Sequence, residues 1–250
     1  MLVITSCTGT KSVHHDAHLT LDDFQDPEQL RRRQNSLVQW KTKACELYAG
    51  NHHRYTLQGV ETLRRVYGRA AVDLRIISAG YGLLGENDLI VPYDVTFEQM
   101  TAHQSKAWGL RLGLPQAVRK AIRGYPLVVF LLGERYLRVI DPPIDRASQR
   151  LVFLVKPDLA RMFRRPGVTT IPLSVEESKK FRASTIALKG RMFDLFARGL
   201  AAQRGRLWPA LLDDSTPVAF LRAVNIGLAE EEEEIQKRYG GLPSRDWVEH

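Results

Sequence analysis

Cysteine is scarce in this 250-residue chain, and no apolar run is long enough to cross a bilayer. The two cysteines, Cys7 and Cys45, exclude a disulfide scaffold and a cysteine-rich zinc site, and their low number is typical of a reducing cytosol. A membrane span needs roughly 18 consecutive apolar residues. The first six residues also lack the basic and long apolar regions of a secretory signal. We therefore expect a cytoplasmic protein with one large domain or two small ones.

Charge is distributed unevenly along the chain. The formal net charge is +8, yet residues 213–250 hold nine acidic and four basic side chains. That segment therefore carries −5, and residues 1–212 carry +13. A basic body favours a polyanionic partner, most often nucleic acid, and here we expect DNA. The acidic run 230–234 predicts a solvated, partly helical segment, although a mimic of nucleic acid would have the same composition.

Hydrophobic periodicity predicts strands that alternate with helices. Short apolar runs predict strands at 2–6, 73–79, 127–132, 151–155 and 168–173. Helical spacing predicts helices at 28–49, 54–67, 97–123 with a break near 113–115, 176–204 and 217–239. This order indicates an α/β fold: a mostly parallel open sheet with helices on both faces over residues 1–173. Residues 174–250 are expected to add a helical C-terminal cap or subdomain.

Ligands of open parallel sheets bind beyond the carboxyl ends of the strands. The loops to consider are therefore 7–12, 80–94, 133–136 and 156–157. In the first loop Cys7, Thr8, Gly9 and Lys11 can cradle a phosphate or a base edge through backbone N–H groups and side chains. The Walker and dinucleotide spacings are absent. A tight strand-to-loop turn is the alternative, and Cys7 fits packing better than nucleophilic catalysis.

The second loop is rich in glycine and tyrosine. Gly80 and Gly82 permit close backbone approach after a strand. Tyr81 and Tyr93 can stack on a planar base. Tyr93 is favoured because it follows Pro92, which restricts the backbone.

Two carboxylates are candidates for acid–base chemistry. Asp94 follows the Pro-Tyr pair in the ligand loop, where it can activate water and stabilise a cationic transition state. Capping of the next helix is its alternative role. Glu134, within Gly133-Glu-Arg-Tyr136 after the third predicted strand, can share that work or serve only as a helix first-turn residue.

Histidines and further cations complete the set of candidates. His14, His15 and His18 with Asp16 lack helical periodicity, so we expect a solvated loop and no metal site. Phosphate contacts are predicted for cations of the C-terminal helices, with a solvated face as the alternative. These cations are Lys179, Arg182, Lys189 and Arg191.

Four motifs carry a resemblance to a known family. They are Ser6-Cys7…Lys11, Leu47-Tyr48-x-Gly50, Ser78-Ala-Gly-Tyr-Gly-Leu-Leu84 and Ile90-x-Pro-Tyr-Asp94. Together they resemble the YaaA-like family, which is similar to the uracil-DNA-glycosylase-like α/β fold, over residues 1–140. The family's lysine after Ser-Ala is replaced by Gly80. The resemblance implies that Tyr48, Ser78 and Tyr136 belong to the substrate-binding site.

These observations predict a DNA base N-glycosylase that excises a modified base and leaves an abasic site, in repair or in defence against modified foreign DNA. The base would be flipped into a pocket at the strand ends. This chemistry requires neither a metal nor a nucleotide cofactor. A lyase step through a Lys11 Schiff base is a less favoured addition. The alternatives are a non-catalytic DNA-binding stress-protection protein of the same fold and a nucleotide-level hydrolase or transferase.

Overall fold

The sheet lies at the centre of the molecule. The computed structural model describes residues 1–9, 11–12, 18–142, 144, 149–163, 165–213 and 217–239. Its strands are β1 (Leu2–Ser6), β2 (Thr42–Lys43), β3 (Asp73–Ser78), β4 (Gly82–Gly85), β5 (Leu89–Ile90), β6 (Leu127–Leu131), β7 (Arg150–Val155) and β8 (Val168–Pro172). The helices before β6 are α1 (Leu21–Gln25), α2 (Pro27–Ser36), α3 (Ala44–Leu47), α4 (Asn51–Tyr67), α5 (Ala102–Arg111) and α6 (Leu114–Ala121). Those after it are α7 (Glu134–Val139), α8 (Val175–Lys180), α9 (Leu188–Ala202), α10 (Trp208–Asp213) and α11 (Val218–Tyr239).

Six of these strands form the main sheet in the order β4-β3-β1-β6-β7-β8. All neighbours are parallel except β4, which pairs with β3 in the antiparallel direction. β2 and β5 form a separate antiparallel pair. β1 and β6 are buried at every position, as strands covered on both faces must be. The predicted open, mostly parallel α/β sheet is thus confirmed.

Helices cover both faces because the chain reverses direction around β1. It passes from β1 to β3 through α4, then returns across β1 to β6 through α5 and α6. Right-handed crossovers in opposite directions place their helices on opposite faces. Accordingly α4 packs against α9, whereas α5 packs against α6 and α7.

The C-terminal helices share the core of the sheet. α9 packs between α4 and α11, and Phe193, Phe196 and Phe220 belong to the same buried cluster as the strand residues. Glycines allow this close approach. A Cβ on Gly199 would lie 1.9 Å from the carbonyl oxygen of Ala223, and one on Gly190 would lie 2.2 Å from that of His52. Within the described ranges, no helix is long and apolar enough to cross a membrane.

Two sequence predictions of local structure are wrong. Residues 28–49 form not one helix but α2, a 3-10 turn at Val38–Trp40, β2 and α3. The apolar residues that suggested a long helix are divided among these short pieces. The segment after β3, expected to be a loop, contains β4 and β5, because Gly82 turns the chain back at a φ of 78°. The break near Gly113 is confirmed, since Gly113 adopts a left-handed conformation between α5 and α6.

Candidate active site at the carboxyl edge of the sheet

The switch point of this sheet lies between β1 and β6. The loops that follow these two strands leave toward opposite faces, which opens a crevice where ligands of open α/β sheets bind. Side chains from the two strand ends meet there, because Cys7 Sγ lies 3.1 Å from the hydroxyl oxygen of Tyr136. Two of the predicted site residues are thus brought together across 129 positions of sequence.

A buried hydroxyl network lies nearby, at the end of β3. Ser78 Oγ donates to the Tyr93 hydroxyl at 2.7 Å, and the hydroxyls of Tyr93 and Tyr48 are 2.8 Å apart. Ser78 Oγ also accepts from the backbone N–H groups of Gly80 at 3.1 Å and Tyr81 at 3.0 Å. We use the name tyrosine cluster for these five residues: Cys7, Tyr48, Ser78, Tyr93 and Tyr136.

The phenols of this cluster are neutral. Burial, followed by the neighbouring Cys7 thiol, raises the pKa of Tyr48, Tyr93 and Tyr136 well above the ordinary value of tyrosine. Burial also raises the pKa of Tyr81 to about 12. These groups therefore remain protonated at physiological pH and act as hydrogen-bonding groups.

The expected stacking role of Tyr93 does not fit its surroundings. Its side chain is 1% exposed, and its ring meets Phe24 and Tyr81 edge to face. One further contact comes from the Lys11 ammonium, 4.8 Å from the ring centroid. Tyr93 is therefore a packed core residue, and it is Tyr81, only half-buried, that remains a candidate for stacking.

Gly80 is also required for packing. A Cβ at this position would lie 2.7 Å from Cζ of Phe24. The ring of Phe24 therefore occupies the space that a side chain would need, which accounts physically for glycine where the YaaA-like pattern has lysine. Gly80 is buried, so the expected approach of a ligand to its backbone does not fit this conformation. Gly82 serves the turn into β4.

The loop after β1 is more open. Gly9 is exposed with free space around its Cα, and Thr8 Oγ1 accepts from the N–H of Gly50 at 3.4 Å. Lys11 pairs with Tyr48 through a single antiparallel bridge.

His14, His15 and Asp16 lie outside the described residues. Elsewhere in the described chain, no three His, Cys, Asp or Glu side chains form a group able to hold a metal.

A cavity of about 610 Å³ lies beyond the ends of β6 and β7. Two arginines and two lysines line it together with two glutamates, so its formal charge is +2. The polar lining comes from Glu98, Ser105, Glu134, Arg135, Arg138, Lys156, Thr185 and Lys189. Its size and its mixture of apolar and convergent polar groups are typical of small-molecule sites.

Both glutamates of the cavity are paired with arginines. Glu134 accepts from Arg138 at 2.8 Å, one turn along α7, and Glu98 lies 3.2 Å from Arg135. Arg135 also donates to the carbonyl of Met100. Sequence reasoning identified Glu134, Lys189 and the loop at 156–157 but missed Glu98, Arg135 and Arg138. The Glu-x-x-x-Arg spacing over 134–138 was the available signal for one of these pairs.

Asp94 lies outside this cavity. Its side chain is exposed and has no hydrogen bond or ion pair with the residues that the structure describes, while its backbone N–H donates to Leu19 at 2.8 Å. The helix-capping alternative is wrong, because Thr96 caps the 3-10 turn that follows. Asp94 is thus an accessible carboxylate two residues before that cap.

Arg191 is wrongly assigned to phosphate binding. It is 6% exposed, and it binds Glu231 with both terminal nitrogens, Asp194 at 3.3 Å and the Phe181 carbonyl at 3.2 Å. The acidic run thus provides internal ion-pair partners for α9. Arg182 is exposed but lies 3.4 Å from Glu232. Lys179 is exposed, whereas Lys189 lines the cavity.

Comparison with known proteins adds a partial family match. Residues 35–156, just under half of the chain, match the model of a family of unknown function (DUF6884). The matched part includes Tyr48, Ser78, Asp94 and Glu134, but neither the loop after β1 nor Lys189. A search of curated proteins finds no match. The YaaA-like resemblance stays a prediction.

Proposed function

We propose that this protein is a DNA base N-glycosylase that excises a modified base and leaves an abasic site. The observation that carries the proposal is the cavity at the carboxyl edge of the sheet, where a carboxylate and several cations converge. A volume of about 610 Å³ accommodates a flipped nucleotide. The basic balance of residues 1–212 and the YaaA-like motifs support the same proposal.

Glu134 is the proposed catalytic carboxylate. The C1′–N bond of the flipped nucleotide breaks with its electron pair leaving on the base, and the sugar becomes a cation. Glu134 stabilises this cation and accepts the proton of the attacking water. Its pairing with Arg138 fixes the orientation of the carboxylate. Exposed Lys156 is available for a flanking phosphate.

A non-catalytic DNA-binding protein is the second candidate. It is favoured by one observation: both glutamates of the cavity already have arginine partners, as structural carboxylates commonly do. In that case the cavity would hold a nucleotide without cleaving it. Base release separates the two candidates, whereas DNA binding does not.

Base release from DNAs that carry different modified bases tests the proposal. Released bases and abasic sites are measured by mass spectrometry for Glu134→Gln and Asp94→Asn, with exposed Glu28→Gln on α2 as the matched control. We expect Glu134→Gln to lower the rate about 100-fold or more while DNA binding persists. Release that is lost only in Asp94→Asn would assign the role to Asp94. Absence of release from every substrate together with firm DNA binding would favour the binding protein.

DNA affinity should also fall steeply with rising salt, because phosphate contacts release counterions. The measurement is a titration between low and physiological salt. A flat salt dependence would contradict a nucleic-acid partner altogether.

A further inference from the structure

Lys189 occupies a rigid position at the start of α9. The next residue, Gly190, packs against the backbone of α4, and its N–H donates to Nδ1 of His52 at 3.2 Å. His52 Nε2 in turn lies 2.8 Å from Oγ1 of Thr5 in β1. Burial lowers the pKa of His52 to about 3, so this histidine is neutral. These contacts fix the backbone of Lys189 to the centre of the sheet.

The amine of Lys189 faces the cavity without an acidic partner. Glu98 and Glu134 are paired with Arg135 and Arg138, and no described carboxylate lies within ion-pair distance of Lys189. A second cation, Lys156, lies near enough to repel the charged form of Lys189. Burial, and then the proximity of Lys156, lowers the pKa of Lys189. A desolvated lysine beside another cation has a larger neutral fraction and is a better nucleophile than an ordinary one.

We propose that Lys189 is an amine nucleophile that forms an imine with an aldehyde substrate whose anionic group is bound by Lys156. The neutral Nζ attacks the carbonyl carbon, the carbonyl oxygen takes up a proton, and loss of water leaves the C=N bond. The reaction involves no oxidation. The inference rests on the proposed function for the identity of the aldehyde: the ring-opened deoxyribose of an abasic site, flanked by phosphates.

Borohydride trapping on preformed abasic DNA tests this proposal without requiring base excision. Borohydride supplies the hydride that reduces the imine to a stable secondary amine. We expect wild-type protein to give a covalent adduct that peptide mapping places on Lys189. Lys189→Arg should lose the adduct, and Lys120→Arg, a matched change at an exposed lysine of α6, should retain it.

A pH profile distinguishes a chemical role from a structural one. The charged or titratable groups around the cavity are Glu98, Glu134, Arg135, Arg138 and Lys156, with His52 behind the helix. Lys156→Met removes the neighbouring positive charge, so the pH at which trapping becomes efficient should rise. An unchanged profile would overturn the role of Lys156 as the neighbouring cation.

The outcomes separate this inference from the proposed function. Base release with an adduct on Lys11, or with no adduct, overturns the role of Lys189 and leaves the glycosylase standing. Trapping on Lys189 without base release from any modified DNA supports the amine and contradicts the glycosylase. If Lys189→Arg fails to fold, mapping of the wild-type adduct still decides the question.

Discussion

Two cations of α9, separated by a single residue, have opposite environments. Arg191 is enclosed by Asp194, Glu231 and a backbone carbonyl, whereas Lys189 faces a cavity without an acidic partner. Residues two apart on a helix lie about 200° apart around its axis, so they meet different neighbours. Arg191 meets α11, and Lys189 meets the carboxyl edge of the sheet. The sequence of a helix therefore identifies its cations, but the packing of the helix determines which of these cations are available to bind a ligand.

Substitution of each cation by methionine gives the strongest test of this comparison. Arg191→Met leaves half-buried Glu231 without its bidentate arginine and buried Asp194 with only Arg198, and we expect a loss of about 3–5 kcal/mol in the free energy of unfolding. Lys189→Met removes a poorly solvated charge that has no acidic partner, so stability should stay unchanged or rise. Urea unfolding of both variants measures the difference.

Exposed Lys179→Met is the control for loss of a cation as such, and it should change stability by less than about 0.5 kcal/mol. Equal losses in Arg191→Met and Lys189→Met would contradict the comparison. They would mean that Lys189 is held by interactions as strong as those of Arg191.

The tyrosine cluster resembles the Arg191 region, since its polar groups are satisfied within the chain. Tyr93→Phe keeps the ring but deprives the hydroxyls of Ser78 and Tyr48 of their partner. Because these groups are buried, we expect a loss of about 1–3 kcal/mol. Thermal and urea unfolding measure it. Tyr55→Phe makes the same chemical change at a half-buried tyrosine that has no hydrogen bond to the described residues, so it should have little effect. Equal stability of the two variants would show that the Tyr93 hydroxyl is not part of a closed network.

The sequence predicts the parallel sheet well and the site only in part. Strands such as β6 are fully apolar because helices cover both faces, and that pattern is visible without a structure. Cys7 and Tyr136 follow predicted strands and Ser78 lies near the end of another, so their meeting at one edge was predictable from topology. The burial of Tyr93 was not, because it depends on Phe24, which lies 69 residues away in sequence. The pairing of Arg191 with Glu231 likewise depends on the packing of α11 on α9.

The pH dependence of one ion pair gives the smallest expected effect. The hydrogen bond from Arg191, opposed by burial and aided by the charges of Arg191 and Arg198, lowers the pKa of Glu231 below its ordinary value of 4.5. A carboxyl whose pKa is lower in the folded state stabilises the protein above the ordinary pKa and loses that contribution as pH falls.

Glu231→Gln should therefore cost about 1 kcal/mol near pH 7, and its deficit relative to wild type should shrink as pH falls below 4.5. Asp194 is present in both proteins, so only the part of its titration that depends on the charge of Glu231 enters the difference. Exposed Glu230→Gln, changed in the same way one residue earlier, should show no such dependence. Urea unfolding at a series of pH values measures both deficits, and a Glu231→Gln deficit that stays constant to pH 3 would mean that the ionised form of Glu231 is not what stabilises the protein.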